Sequence, residues 1–278
     1  MLPQLTDARV AGGLRPVAWL ATALPLLVGV FIVREALPAL HAYGAVAFLT
    51  DGRWAPTSGA VGLGPMVAGT VVSSVLALGL AAPWALAYAI HVNHFAPRWF
   101  AAPARGAVAV LAGIPSVVFG FLSLTRLVPL IVADHPPGLG LGVTVLTLTA
   151  MIVPTAALAA DAAVRQVPAE AALAVRALGL GAWDAVRAAV LPLARPGIRA
   201  GLLLALGRAV GETMAVLMVA GNTVQYPTGP FVAFRTLTGN VAVEMAYATG
   251  VHRAALFVSA LVLLGLVGGV LALRREAA

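Results

Sequence analysis

The sequence predicts an all-α integral membrane protein with six transmembrane helices, and three observations carry that reading. Of its 278 residues, 61% are hydrophobic and only 10% charged, with a mean hydropathy of +0.99; so few charges cover loops and ends but not a water-facing surface. Six apolar runs, at residues 16–33, 66–90, 106–125, 139–160, 197–220 and 254–273, approach or exceed the roughly 20 residues needed to cross a bilayer. Finally, the arginines crowd into alternate connections between these runs, as the loops of a multi-pass protein require.

Span one follows Arg9 and Arg15, and Ala45-Val46-Ala47 mimics a signal-peptidase site downstream of it. The run is too long for a secretory apolar core, so it is expected to remain as a helix. Span three is interrupted near its middle by Gly113-Ile114-Pro115-Ser116. A proline there frees backbone groups that lipid cannot satisfy, which suits either a packed kink or a cavity wall where backbone N–H groups and the Ser116 hydroxyl meet an anion. Pro154-Thr155 in span four leaves the same two readings open.

The connection at 161–196 is long and helix-forming yet too interrupted to cross. Pro168 opens a helix over Ala169 to Leu178, Gly179 and Gly181 break it, and Ala182 to Leu191 resumes before Pro192 is expected to stop it. The product is a helix-turn-helix elbow. On its second arm Trp183, Val186 and Val190 recur at helical spacing, a face suited to a partner's groove or to the lipid surface. In the last outer segment, Val241 to Ala248 is expected to form a short helix on the outer face, and residues 1–278 read as a single transmembrane domain.

The net charge of +7 comes from arginine alone, since lysine is absent. Eleven arginines, at 9, 15, 98, 105, 165, 176, 187, 195, 199, 274 and 275, fall on one side of the predicted spans; five, at 34, 53, 126, 235 and 253, fall on the other. The richer side is cytoplasmic by the positive-inside rule, so both termini are expected there, in a multi-pass protein of a plasma membrane. No basic patch interleaves with aromatics, which argues against a nucleic-acid partner and leaves membrane lipid as the surroundings.

Only Arg208 lies inside a span, with Glu212 four residues on. On one helical face near the midplane, each charge costs about 2.5 to 3.5 kcal/mol unless paired or hydrated, so both are expected to face the interior. A guanidinium suits a small oxyanion, with Glu212 holding it in place and tempering its grip; a structural ion pair is the plain alternative. Gly207 and Gly211 offer a close approach to a neighbouring helix. His91 and His94 have metal-compatible spacing but no acidic neighbour, so they read as interfacial, and neither metal nor cofactor is expected. Without lysine there is no P-loop, and without cysteine, an intramembrane histidine or a serine with a recognisable base, enzyme chemistry at Arg208 and Glu212 is poorly supported.

Glu170-Ala171-Ala172, Gly179, Leu191 and Pro192 resemble the cytoplasmic coupling loop of bacterial ABC-importer permeases. Leu173 stands where that pattern places its glutamate, and Glu170 lies one turn earlier. The string from Gly207 through Arg208, Glu212 and Thr213 to Val216, followed by Gly221-Asn222, narrows the resemblance to the PstC-type permeases of phosphate importers. Trp54-Ala55-Pro56, Gly64-Pro65, Gly69-Thr70, Ala112 to Gly120 and Val167-Pro168 extend it over about residues 51–222. The resemblance implies a non-enzymatic, six-helix permease that moves phosphate, with Arg208, Glu212, Ser116 and Thr213 on the substrate path. It implies ATPase coupling through Glu170, Ala171, Gly179, Trp183 and Pro192. The implied partners are a sister permease (PstA-like), a pair of ATPase subunits (PstB-like) and an external phosphate-binding protein (PstS-like). Molybdate or sulfate as cargo, or the sister permease itself, are the alternatives.

Overall fold

The computed structural model describes residues 3–276, with side chains from Leu14 to Leu273, so Arg9, Arg274 and Arg275 lie outside the described side chains. Five helices are long and apolar enough to cross a membrane: Leu14–Tyr43, Gly64–Phe95, Leu141–Arg165, Ala182–Val210 and Gly250–Leu273. Between the second and third of these, Arg98–Gly113 and Ser116–Val132 form a pair bent by 89°.

The bent pair runs along the length of span four. Its first half holds Arg105, which meets Asp161 near the C-terminal end of span four. Its second half holds Ser123, whose hydroxyl lies 2.8 Å from that of Thr147 nearer the start of span four, and the chain then enters span four at Gly140, whose N–H donates to Val219. The segment therefore travels from one end of span four to the other, as a crossing does, and with it the described residues hold up to six spans.

Spans two, four and five form the core. Ala77, Ala81 and Ala85 recur every four residues on span two, a smooth stripe against which Leu148, Met151 and Ile152 of span four are buried. Span five approaches span four through Gly197 and Gly201, where a Cβ would stand 2.8 and 2.5 Å from the Cβ atoms of Ala163 and Ala159. The close approach expected at Gly207 and Gly211 is thus made two to three turns earlier; a Cβ at Gly207 would meet nothing within 4 Å. Spans one and six pack together at the periphery, with Phe31 and Phe257 edge to face at 5.7 Å.

Three expectations need correction. Pro192 does not stop the elbow's second arm. A widened π-turn over Val186–Val190 absorbs it, Leu191 N–H reaching back to Val186, and the helix runs on into span five. Span five itself is not continuous to residue 220: its helix ends at Val210, and a short helix, Met214–Val219, follows after Gly211-Glu212-Thr213.

The outer segment, finally, does not merely rest on the outer face. Gly221 (φ +82°) and Asn222 (φ +53°) turn the chain, and residues 231–240 pack inward until Phe234, Leu237 and Asn240 are fully buried. The helix there is Leu237–Glu244 rather than Val241 to Ala248. Leu237 N–H is held by the Thr70 hydroxyl of span two at 3.0 Å, which explains how a polar stretch sits in the core.

Candidate functional site

The break in span five builds the site. Gly211 N–H still reaches the Gly207 carbonyl, but after it the helix opens. Glu212 is buried and its Oε1 accepts the Ala215 N–H at 3.0 Å, closing the first turn of the short helix. Its carbonyl, released from any helical partner, accepts the Thr238 hydroxyl at 2.8 Å. Half-buried Thr213 sits at the head of the short helix.

Arg208 occupies the last turn before the break and is half-buried. Its Nη1 donates to Thr155 Oγ1 of span four at 3.4 Å. No ion pair joins it to Glu212 or to any other described carboxylate. The structural pair weighed from the sequence is therefore not formed, because the break turns Glu212 toward backbone instead of along the face of Arg208.

The helix Ser116–Leu122, which follows the break in span three, lies against the same short helix. At Gly120 a Cβ would stand 2.8 Å from Ala215 Cα, so this glycine permits the contact. Ser116 opens this half of span three and is half-buried, yet forms no hydrogen bond with Arg208, Glu212 or Thr213. The structure thus brings Arg208 and Thr155 together but not Ser116, and at the span-three break itself Gly113 and Pro115 are exposed.

At the other end of the molecule the elbow forms much as its glycines suggest. The helix Ala169–Ala177 carries Glu170 in its exposed first turn, with Ala171 half-buried. Gly179 has φ +81°, a conformation that costs side chains with a Cβ, and Gly181 N–H is held by the Asp184 carboxylate at 3.1 Å. Leu173, Leu178 and Trp183 are 60, 78 and 53% exposed, an apolar tip on which the Phe95 ring, 6.4 Å from that of Trp183, gives partial cover. His91 packs edge-on against Phe100 at 6.1 Å, and no metal-ligating cluster occurs among the described residues.

Two buried carboxylates escaped the sequence reading. Asp161, 1% exposed, gathers Arg105, Arg165 and Asn93 and so ties spans two, three and four at the elbow end. Glu244 does the same at the opposite end, accepting from Trp54 Nε1 at 2.8 Å and Arg235 Nη1 at 2.6 Å, and lying 2.8 Å from His252 Nε2. Burial acts to raise the Glu244 pKa, but the hydrogen bonds from Trp54, His252 and Arg235 outweigh it and hold the carboxyl below its ordinary range. The Asp161–Arg165 spacing of four was the one visible signal for either hub.

Apolar spans that open in mid-course, with a largely exposed apolar elbow tip at one end, are the parts of a conduit driven from outside itself; the class is a multi-pass permease of the ABC-importer type. The chain belongs to the family of binding-protein-dependent transport system inner membrane components, whose model matches residues 79–274. It is 33% identical to the phosphate transport system permease protein PstC of Mesorhizobium japonicum, over 95% of this chain and 85% of that one. It is 32% identical to the probable ABC transporter permease YqgH of Bacillus subtilis over 88% and 82% of the two chains, and 33% identical to PstC 2 of Mycobacterium tuberculosis over 70% and 67%. The fold matches the inward-facing MetNI methionine transporter with TM-score 0.58 at 18% identity, covering 81% of this chain and all of that one. A bacterial alginate importer matches with TM-score 0.61 at 13% identity, covering 96% and 99%.

Proposed function

We propose that this chain is a permease subunit of an ATP-driven phosphate importer, with Arg208 as the anion contact in its conducting path. One observation carries the role of Arg208: a half-buried guanidinium lies inside a span with a threonine as its side-chain partner and no carboxylate to neutralise it. Gly207 beside it has an open side that no described residue fills. Phosphate as cargo is supported by the relatives, which are named as phosphate transport system permeases.

Arg208 offers paired donors that match an oxyanion and never loses its charge. Because Glu212 is tied to the Ala215 N–H, it shapes the break without quenching Arg208. Thr213 and Ser116 contribute hydroxyls to the path. A single guanidinium with one weak side-chain partner also meets the requirement that a conducted ion be held loosely enough to leave.

The chain works with an ATPase and a substrate-binding protein. The ATPase pair, PstB-like, seats the elbow through Trp183, Glu170 and Ala171, with Gly179 setting its turn and Pro192 lying where the arm joins span five. A sister permease, PstA-like, closes the open side near Gly207, and a PstS-like protein delivers phosphate from outside. Residues 1–278 act as one transmembrane unit, and both termini face the cytoplasm, in keeping with the arginine asymmetry and the even number of crossings.

The test is phosphate uptake by Arg208→Ala in cells that depend on this transporter. Losing charge-assisted contacts to the anion lowers uptake by about one to two orders of magnitude while the complex still assembles. Normal uptake would remove Arg208 from the path. Sulfate or molybdate competing as well as unlabelled phosphate would reassign the cargo.

A further inference from the structure

We infer that the elbow end of span five carries a binding site for the phosphate headgroup of an anionic phospholipid, separate from the conducting path at Arg208. Arg187, Arg195 and Arg199 line one groove of about 410 Å³, whose apolar wall includes Leu86 of span two and Leu191 and Ile198 of span five. All three arginines are exposed, and none forms an ion pair or side-chain hydrogen bond with a described residue. No aspartate or glutamate lines the groove. Arg105, Arg165, Arg235 and Arg253 behave otherwise, each lying within ion-pair distance of a carboxylate.

Like charges stacked along one helix face repel, so the arrangement is unfavourable until an anion enters it. The widened turn at Val186–Val190 is what assembles it. It takes up one residue, so Arg187 and Arg195 stand effectively two turns apart on the same side, with Arg199 one turn further. From Arg187 to Arg199 the helix rises about 18 Å, from the elbow into the membrane boundary. Guanidinium groups fit phosphate oxygens through parallel donors.

The apolar wall decides between sources of that phosphate. A free, hydrated phosphate gains nothing from Leu86, Leu191 and Ile198, whereas a lipid lays an acyl chain along them while its headgroup meets the arginines. Basic grooves between spans on the cytoplasmic side suit such headgroups, and span five is the helix that joins the elbow to the break beside Arg208.

The experiment uses the assembled transporter in nanodiscs of phosphatidylglycerol mixed with phosphatidylcholine, followed by detergent exchange and native mass spectrometry of retained lipid. Wild type is expected to retain phosphatidylglycerol selectively, and R187Q/R195Q/R199Q to retain about tenfold less or lower still. Leu86→Trp, which fills the groove and leaves every charge in place, is expected to reduce retention too and guards against a triple variant that fails to assemble. Arg208→Ala should retain lipid as wild type does, which separates this site from the transport reading. Unchanged retention in the triple variant or in Leu86→Trp overturns the proposal. Displacement of the lipid by excess inorganic phosphate would make this a free-anion site, and loss of the ATPase subunit with lipid retention unchanged would make it a protein interface; either result also overturns it.

Discussion

Spans four and five lie side by side and handle their polar groups in opposite ways. Span four is an unbroken helix, Leu141–Arg165, whose buried hydroxyls return to their own backbone: Thr144 to Gly140 O at 2.8 Å and Thr147 to Val143 O at 2.7 Å. Its charge is kept to the far end, where Asp161 is surrounded by donors. Span five breaks in mid-course and must satisfy the freed groups from elsewhere, through the Glu212 side chain and through Thr238 from the outer segment. A continuous helix in lipid is self-sufficient, and a broken one recruits partners and so ties distant segments to its break. The span that carries Arg208 is therefore also the span whose local geometry depends on residues far along the chain.

The largest effect is expected from the carboxylate hub of the continuous span. Asp161→Ala leaves half-buried Arg105 and Asn93 without their shared carboxylate; breaking a buried pair costs about 3 to 5 kcal/mol, and the 29% exposure of Arg105 puts this one at about 3 kcal/mol. Arg165, which is 55% exposed, adds little to that figure. Thermal unfolding of the purified transporter in detergent measures the loss. An unchanged midpoint would mean that the three spans are held at this end by packing alone.

A smaller loss is expected at the break. Glu212→Ala strands the Ala215 N–H in a buried position, worth about 1 to 3 kcal/mol, whereas Glu212→Gln keeps an acceptor and should recover most of it. If glutamine proves as damaging as alanine to stability, the carboxylate charge matters and Glu212 is more than a cap. Comparing the two variants in uptake as well as in unfolding separates its structural part from any part in conduction.

The same contrast explains what could be read in advance. The spans were legible because lipid demands long apolar runs, and the runs at 66–90 and 139–160 reappear as Gly64–Phe95 and Leu141–Arg165. The elbow was legible through Gly179 and Gly181. The break in span five was not, because Gly211 inside an apolar run reads as a packing residue; its signal was a glycine followed at once by Glu212 and Thr213, an end and a start of helix placed back to back. Pro192 misled because a π-turn, which no local pattern announces, relieved it. The inward course of residues 231–240 was hidden for a different reason: Thr238 and Asn240 look like loop residues until their partners, the Glu212 carbonyl at the break in span five and the Ser259 hydroxyl of span six, are known.

The finest test places one chemical change in both environments. Thr144→Val removes a buried hydroxyl whose acceptor, the Gly140 carbonyl, also receives the Thr144 N–H at 3.1 Å, so no backbone group is stranded. The loss should lie within about 1 kcal/mol, the net worth of an ordinary hydrogen bond. Thr238→Val removes the hydroxyl that serves the Glu212 carbonyl at the break, and an unmet buried acceptor costs about 1 to 3 kcal/mol. Valine is nearly the shape of threonine, so packing changes little in either case and the difference reports satisfaction of the Glu212 carbonyl together with that of the Thr236 hydroxyl, 3.0 Å from Thr238 Oγ1. Equal losses would show that water or lipid headgroups reach the Glu212 carbonyl as readily as Thr238 does. The break would then be an open, hydrated interruption rather than one sealed by the outer segment, and the outer loops would have no mechanical hold on the span that carries Arg208.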